Sequence, residues 1–281
     1  MNYRFFAQQL ASDCRRGLAA RWKWYLMALL IFALQWIIAH QNFVFFYEQG
    51  AISSAGTSTD YLLYCFQGAS PRIPEKRFIV PTSWLCIFAG SLLSSLSYSG
   101  AEIDDYALHY LLRGGSKGTW WLSKCVWCLL STVTYYAVGY CTILLLCVIS
   151  GIPLSEEITP LLSGEYFQNA FTGNARMLVA FVMPLLTMIC LNAIQLTLSL
   201  FISPALSFLC CLVVLLLSSY YMSYFFIGNY AMALRSSYCL NDGIKPGPGI
   251  VMLPGITLLI TAVGMNTVKY KDLLRRNKEV R

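Results

Sequence analysis

The sequence predicts an all-α integral membrane fold: six transmembrane helices, an amphipathic interfacial helix before them, and a short helix between spans two and three. Three observations predict it. Charged residues are 12% of the 281 and hydrophobic residues 57%, whereas a soluble domain carries about 25% charge. So few charges cannot coat a water-facing surface. Apolar windows recur at the roughly 20-residue length that a spanning helix needs. The Lys and Arg residues gather beside those windows rather than inside them.

Residues 1–23 carry Arg4, Arg15, Arg16, Arg21 and Lys23 against Asp13. Phe6, Leu10, Leu18 and Trp22 recur at near-helical spacing. This predicts a helix lying on the membrane surface; the alternative is a plain basic tail. No small-residue cleavage site follows the first apolar run, so that run is expected to stay as a span rather than leave as a signal.

The spans are expected at 24–46, 78–98, 125–149, 177–201, 205–226 and 250–268, all within one transmembrane domain over 1–281. Between the first two lies a polar stretch with Gly50, Gly56, Pro71 and Pro74, interrupted by a short apolar piece at 61–66. Segment 99–124 is polar and is expected to face the cytoplasm. Residues 150–176 carry Glu156, Glu157 and Glu165. Ser203-Pro204 separates spans four and five. A loop with Gly243, Pro246, Gly247, Pro248 and Gly249 leads into span six, and 269–281 is a basic tail.

With six spans both termini share one side. Fourteen of the twenty Lys and Arg residues fall on that side, which makes it cytoplasmic. The formal net charge of +7 is thus read as orientation and contact with anionic lipid, not as a nucleic-acid surface. No Lys, Arg, Asp or Glu is expected in the middle of a span. Ion-coupled carriers and pumps need such groups at depth, so the energy source is expected elsewhere.

Segment 99–124 holds the strongest pattern. Ser99 and Glu102 have capping-box spacing, and Asp104 and Asp105 suit a first helical turn. Ile103, Tyr106, Ala107, Tyr110 and Leu111 then fall on one helical face. Arg113 follows, and Gly114-Gly115 is a stop. The pattern predicts a short amphipathic helix able to fill a groove on a partner or to float at the lipid interface.

That helix, followed by Leu111-Leu-Arg113-Gly-Gly-Ser116-Lys117 and Trp120-Trp121-Leu-Ser-Lys124, resembles permease subunits of type-two ABC exporters of the bacterial peptide-export and resistance type. The basic start, the long first outer loop and the Tyr270-Lys-Asp272-Leu-Leu run are similar too. The resemblance implies a coupling helix with Ile103, Tyr106, Tyr110, Leu111, Arg113 and Lys117 against a separate ATPase subunit. It implies a second permease subunit, identical or homologous, with ATP and Mg bound by the ATPase and no cofactor in this chain. It also implies residence in the bacterial plasma membrane.

Enzyme patterns are missing. There is no HExxH pair, no GxSxG elbow and no phosphate loop, since Gly114 to Thr119 lacks the GxxxxGK[ST] order. Most of the 11 cysteines lie in apolar runs and read as small hydrophobes. Cys65 and Cys239 fall in outer loops, where a disulfide is one option. Candidate pathway residues are Ser91, Ser94 and Ser95 in span two, Asn192 and Gln195 in span four, and Ser218, Ser219, Tyr220 and Tyr221 in span five. The same residues serve equally as interhelical contacts. The function that the resemblance implies is an exporter permease for a peptide, antimicrobial or lipid-like cargo. The alternative is a membrane-bound binding, sensor or immunity protein with no ATPase.

Overall fold

The computed structural model describes residues 3–17, 22–52, 56–72, 78–102, 116–155, 157–159, 178–240 and 242–270. Among these the chain is helical and has no β-strand; Ser236 and Ile244 make an isolated bridge. The α-helices are α1 (Tyr3–Gly17), α2 (Trp22–Glu48), α3 (Ser58–Cys65), α4 (Thr82–Glu102), α5 (Lys117–Ile149), α6 (Met183–Leu198), α7 (Pro204–Tyr220) and α8 (Pro246–Tyr270). A π-helical turn, Leu178–Val182, leads into α6, and 3-10 turns at Ile227–Ala231 and Ala233–Arg235 lie between α7 and α8.

Among the described residues four helical stretches are long and apolar enough to cross a membrane: Trp22–Glu48, Lys117–Ile149, Leu178–Leu198 and Pro246–Tyr270. They mark a membrane protein. Thr82–Leu96 and Pro204–Tyr220 are apolar but shorter. Large side chains such as Leu30 and Leu34 on α2, Leu209 and Val213 on α7, and Val251 and Leu258 on α8 are exposed. Patches of this kind suit lipid rather than water.

α5 is the central helix, packing against α1, α2, α3, α4, α6 and α8. Phe32 and Trp36 of α2, Tyr61 of α3 and Phe88 of α4 share one buried core with its Tyr135, Tyr136 and Tyr140, and the Phe32 and Tyr135 rings meet edge to face. Gly139 of α5 lies against the Phe32 ring with no room for a Cβ. A small residue is required where two helices come this close.

Two expectations for segment 99–124 are corrected. α4 runs unbroken through Glu102, so residues 99–102 belong to α4 and no new helix opens at Ser99. α5 starts at Lys117, well ahead of residue 125, because Ser116 caps it: its Oγ accepts from the Thr119 N–H at 3.2 Å. With 33 residues, α5 is about 50 Å long at 1.5 Å per residue. That exceeds the ~30 Å hydrocarbon core, so its basic first turns need not enter lipid.

α1 also departs from the expectation of a helix resting on the surface alone. It packs on the first turns of α5, with Gly17 directly against the Trp127 indole.

Candidate functional site

Ile103, Tyr106, Tyr110, Leu111 and Arg113 lie outside the described residues. Lys117 is described: it opens α5, and its Nζ donates to the Lys269 carbonyl at 3.4 Å. The last turn of α8 therefore meets the first turn of α5.

Beside this junction α1 is pinned by a buried ion pair. Lys124 Nζ lies 2.9 Å from Asp13 Oδ1, with the two side chains 4% and 1% exposed. Ser123 Oγ donates to the other carboxylate oxygen, and Gln9 Nε2 donates to Oδ1 at 3.1 Å. Three donors on one carboxylate offset the desolvation that makes a bare buried pair a weak stabiliser. Sequence gives no sign of this pairing, since the partners are 111 residues apart and each reads locally as a solvated charge.

Five candidate pathway residues come together in one network between α4 and α6. Asn192 Nδ2 donates to Ser91 Oγ at 2.9 Å and to the Met188 carbonyl at 2.9 Å. Ser95 Oγ donates to Asn192 Oδ1 at 2.6 Å. Gln195 Nε2 donates to the Leu92 carbonyl at 2.9 Å. Ser94 Oγ turns back to the Ser91 carbonyl at 2.7 Å. All five residues are buried, and Gln195 Oε1 is left without a hydrogen-bond partner.

Ser218, Ser219, Tyr220 and Tyr221 sit apart from that network, at the end of α7. The two serine hydroxyls return to helix carbonyls, Ser218 to Val214 at 2.7 Å and Ser219 to Leu216 at 2.8 Å. Tyr220 accepts a hydrogen bond from Arg72, whose guanidinium carbon also stands 4.6 Å from the ring centroid.

The same helix end contains the residue that sequence reasoning missed. Arg235 is fully buried. Its Nη1 donates to the Ser218 carbonyl at 2.6 Å and to Asn229 Oδ1, its Nη2 to the Ser219 carbonyl, and its Nε to the Ala69 carbonyl at 2.9 Å. The last carbonyls of a helix lack intrahelical donors and carry partial negative charge. A guanidinium placed there satisfies them and is stabilised by them. Burial pushes the Arg235 pKa down to about 10, so it remains a cation near neutrality. The sequence expectation of span five through residue 226 fails here, because α7 ends at Tyr220 and Arg235 holds its final carbonyls. The backbone N–H groups of Ala233 and Leu234 also donate to Phe66 and Gln67, at 2.9 and 3.1 Å. Arg235 thus joins α7, the chain after α3, and the loop before α8.

At the same end Asp60 organises a second junction. Its carboxylate accepts from the Thr57 N–H at 2.9 Å, and from the Thr159 N–H and hydroxyl at 3.1 and 2.9 Å. The Ser58 N–H donates to the Pro153 carbonyl at 3.1 Å. The segment after α5 is thereby strapped to the start of α3. Burial raises the Asp60 pKa above its ordinary 3.8, and the Thr57 and Thr159 bonds oppose that rise without cancelling it.

Cys65 and Cys239 are separate free thiols. Cys65 belongs to the main core, while Cys239 donates to the Ala233 carbonyl at 2.9 Å. Among the described residues no group of three or more His, Cys, Asp or Glu is arranged to hold a metal ion. A cavity of about 310 Å³ lies at the start of α4, lined by Gln67, Ser70, Val80, Thr82, Trp84 and Leu234 among others. No protein-family model, curated protein or solved structure matches the chain.

Proposed function

We propose that the chain is the membrane-spanning permease subunit of an ATP-driven exporter in a bacterial plasma membrane. In this reading the four long helices and the shorter α4 and α7 make six spans, with both termini cytoplasmic. Two such subunits, identical or homologous, form the pathway, and a separate ATPase subunit binds ATP and Mg. The cargo is a peptide, an antimicrobial or a lipid-like amphipathic molecule.

One observation carries the reading. In the sequence between α4 and α5, Ile103, Tyr106, Tyr110 and Leu111 recur at the spacing of one face of an amphipathic helix, followed by Arg113 and Gly114-Gly115. Such a face suits insertion into a groove of another protein. α5, which leaves that stretch, is the helix that touches nearly every other element. A push delivered there would reach the whole bundle, and the spans would exchange one access state for another.

The test is the composition of the complex purified in mild detergent. An ATP-hydrolysing subunit should co-purify, and Tyr110→Asp with Leu111→Asp should release it or uncouple its activity while the chain still inserts. A complex that never contains an ATPase would overturn the proposal.

A second reading has its own support. Ser91, Ser95, Asn192 and Gln195 are packed against one another rather than lining an open path. A membrane-bound binding, sensor or immunity protein needs no such path and no ATPase.

A further inference from the structure

The charged side chains described at the α1 end of the bundle are nearly all of one sign. Arg15 and Arg16 lie in the last turn of α1, Lys23 in the first turn of α2, Lys117 at the start of α5 and Lys269 in the last turn of α8. All are exposed except Lys117, which is half-buried. The Lys117–Lys269 contact, the Asp13–Lys124 pair and a 3.1 Å hydrogen bond between the Tyr25 and Ser131 hydroxyls tie these elements together. The opposite end is mixed, with Glu48, Asp60, Glu157 and Asp242 among Arg72 and Lys245.

Asp13 decides the sign of the α1 surface. It is the one acid among the side chains described at this end, and it is turned into α5 and paired with Lys124. An outward Asp13 would give α1 a mixed face. Turned inward, it leaves Arg15 and Arg16 exposed at the end of the helix.

The cations also adjoin apolar faces. Leu26, Leu29 and Leu30 follow Lys23 along α2 and are exposed, as is Val263 on α8 before Lys269. A ligand matching both features has an anionic head and hydrocarbon tails. We infer that the α1 end of the bundle is a binding surface for anionic phospholipid, with the headgroup phosphate on Arg15, Arg16, Lys23 and Lys269 and the acyl chains on α2 and α8. Phosphate oxygens accept strong charge-assisted hydrogen bonds from guanidinium and ammonium groups. Each basic residue at an anionic membrane surface strengthens binding by roughly fivefold. This inference does not depend on an ATPase partner.

The exposed Trp22 beside Lys23 is a built-in reporter. The full chain in neutral detergent is titrated with brominated phosphatidylglycerol or brominated phosphatidylcholine, and tryptophan quenching is read. Phosphatidylglycerol should bind at least about fivefold more tightly, and added salt should shrink the difference. A variant with Arg15→Gln, Arg16→Gln, Lys23→Gln and Lys269→Gln should lose the preference and keep the thermal midpoint of the parent. Arg15→Lys with Arg16→Lys, which retains charge, should keep the preference and guards against a loss caused by misfolding. Equal binding of the two lipids by the parent overturns the inference. So does a preference that survives all four Gln substitutions.

Discussion

The Tyr140 hydroxyl donates to the carbonyl of Ala180, four residues before Pro184, which has no N–H to offer it. In an α-helix the N–H of residue 184 would bond the carbonyl four residues back, and proline has no N–H. The chain relaxes into the π-helical turn Leu178–Val182, and Tyr136 adds a second donor to Ala180 at 3.0 Å. Two side chains of α5 thus supply donors at the carbonyl where Pro184 has none. Removing both hydroxyls, Tyr136→Phe with Tyr140→Phe, should lower stability by about 1–3 kcal/mol, the range for a stranded buried acceptor. Pro184→Ala restores an N–H and should shrink that loss. Thermal midpoints of the four detergent-solubilised chains decide it; a loss of equal size in both backgrounds refutes the donor explanation.

Arg235 should tolerate no substitution, lysine included. The planar guanidinium reaches carbonyls of α7 and of the chain after α3 at once, which a single ammonium cannot reproduce. Arg235→Lys is expected to destabilise the chain by about 2–5 kcal/mol. It should also increase protease cleavage between α7 and α8, whereas Lys245→Gln, at an exposed site, should do neither.

The Asp60 shift has a definite sign. Its pKa is raised above 3.8 in the folded chain, chiefly by burial, so the folded state holds that proton more tightly than the unfolded state. Its contribution is fully present below pH 3.8 and is lost as pH rises through the raised folded value. Asp60→Asn cannot titrate. The midpoint of the parent, relative to that of Asp60→Asn, should therefore fall as pH rises through this window. A difference that grows with pH would show that the Thr57 and Thr159 bonds outweigh burial.

The Asp13–Lys124 pair should show strong coupling. Leaving either charge buried alone costs roughly 3–5 kcal/mol. Asp13→Asn and Lys124→Met should each destabilise, and together they should destabilise less than the two losses added. Proteolysis within α1 provides the local readout, because α1 docks through this pair and through Gly17 on Trp127.

The apolar periodicity made most of the helical core legible. Residues 24–46, 177–201 and 250–268 were expected as spans, and α2, the turn with α6, and α8 cover nearly all of them. Ser203-Pro204 was a readable boundary because both residues act locally: serine caps and proline starts the helix. The errors arose where a distant partner rewrote the local signal. Lys124 looked like the end of a polar segment, yet Asp13 neutralises it inside α5. Residues 221–226 looked like more of span five, yet Arg235 takes the carbonyls at the end of α7. The polar residues of spans two and four were visible as a set, but which of them would meet depends on how α4 and α6 rotate against each other. A single sequence does not encode that rotation in any short-range pattern.

The Ser95–Asn192 contact separates a packing role from a pathway role. Both residues are buried and joined at 2.6 Å. If the contact is interhelical packing, Ser95→Ala and Asn192→Ala should be coupled by about 0.6 kcal/mol, the average for such bonds between membrane helices. Ser95→Cys should then resist a water-soluble thiol reagent, as a group without solvent access must. If the network opens onto a transport path, Ser95→Cys should react, and faster when cargo or ATP shifts the bundle to another state. Buried Cys211 on α7 is the internal control, since its thiol should stay unreactive in both cases. A reactive Ser95→Cys with silent Cys211 would place water between α4 and α6 and support transport. An unreactive one under every condition would favour the binding or sensor reading.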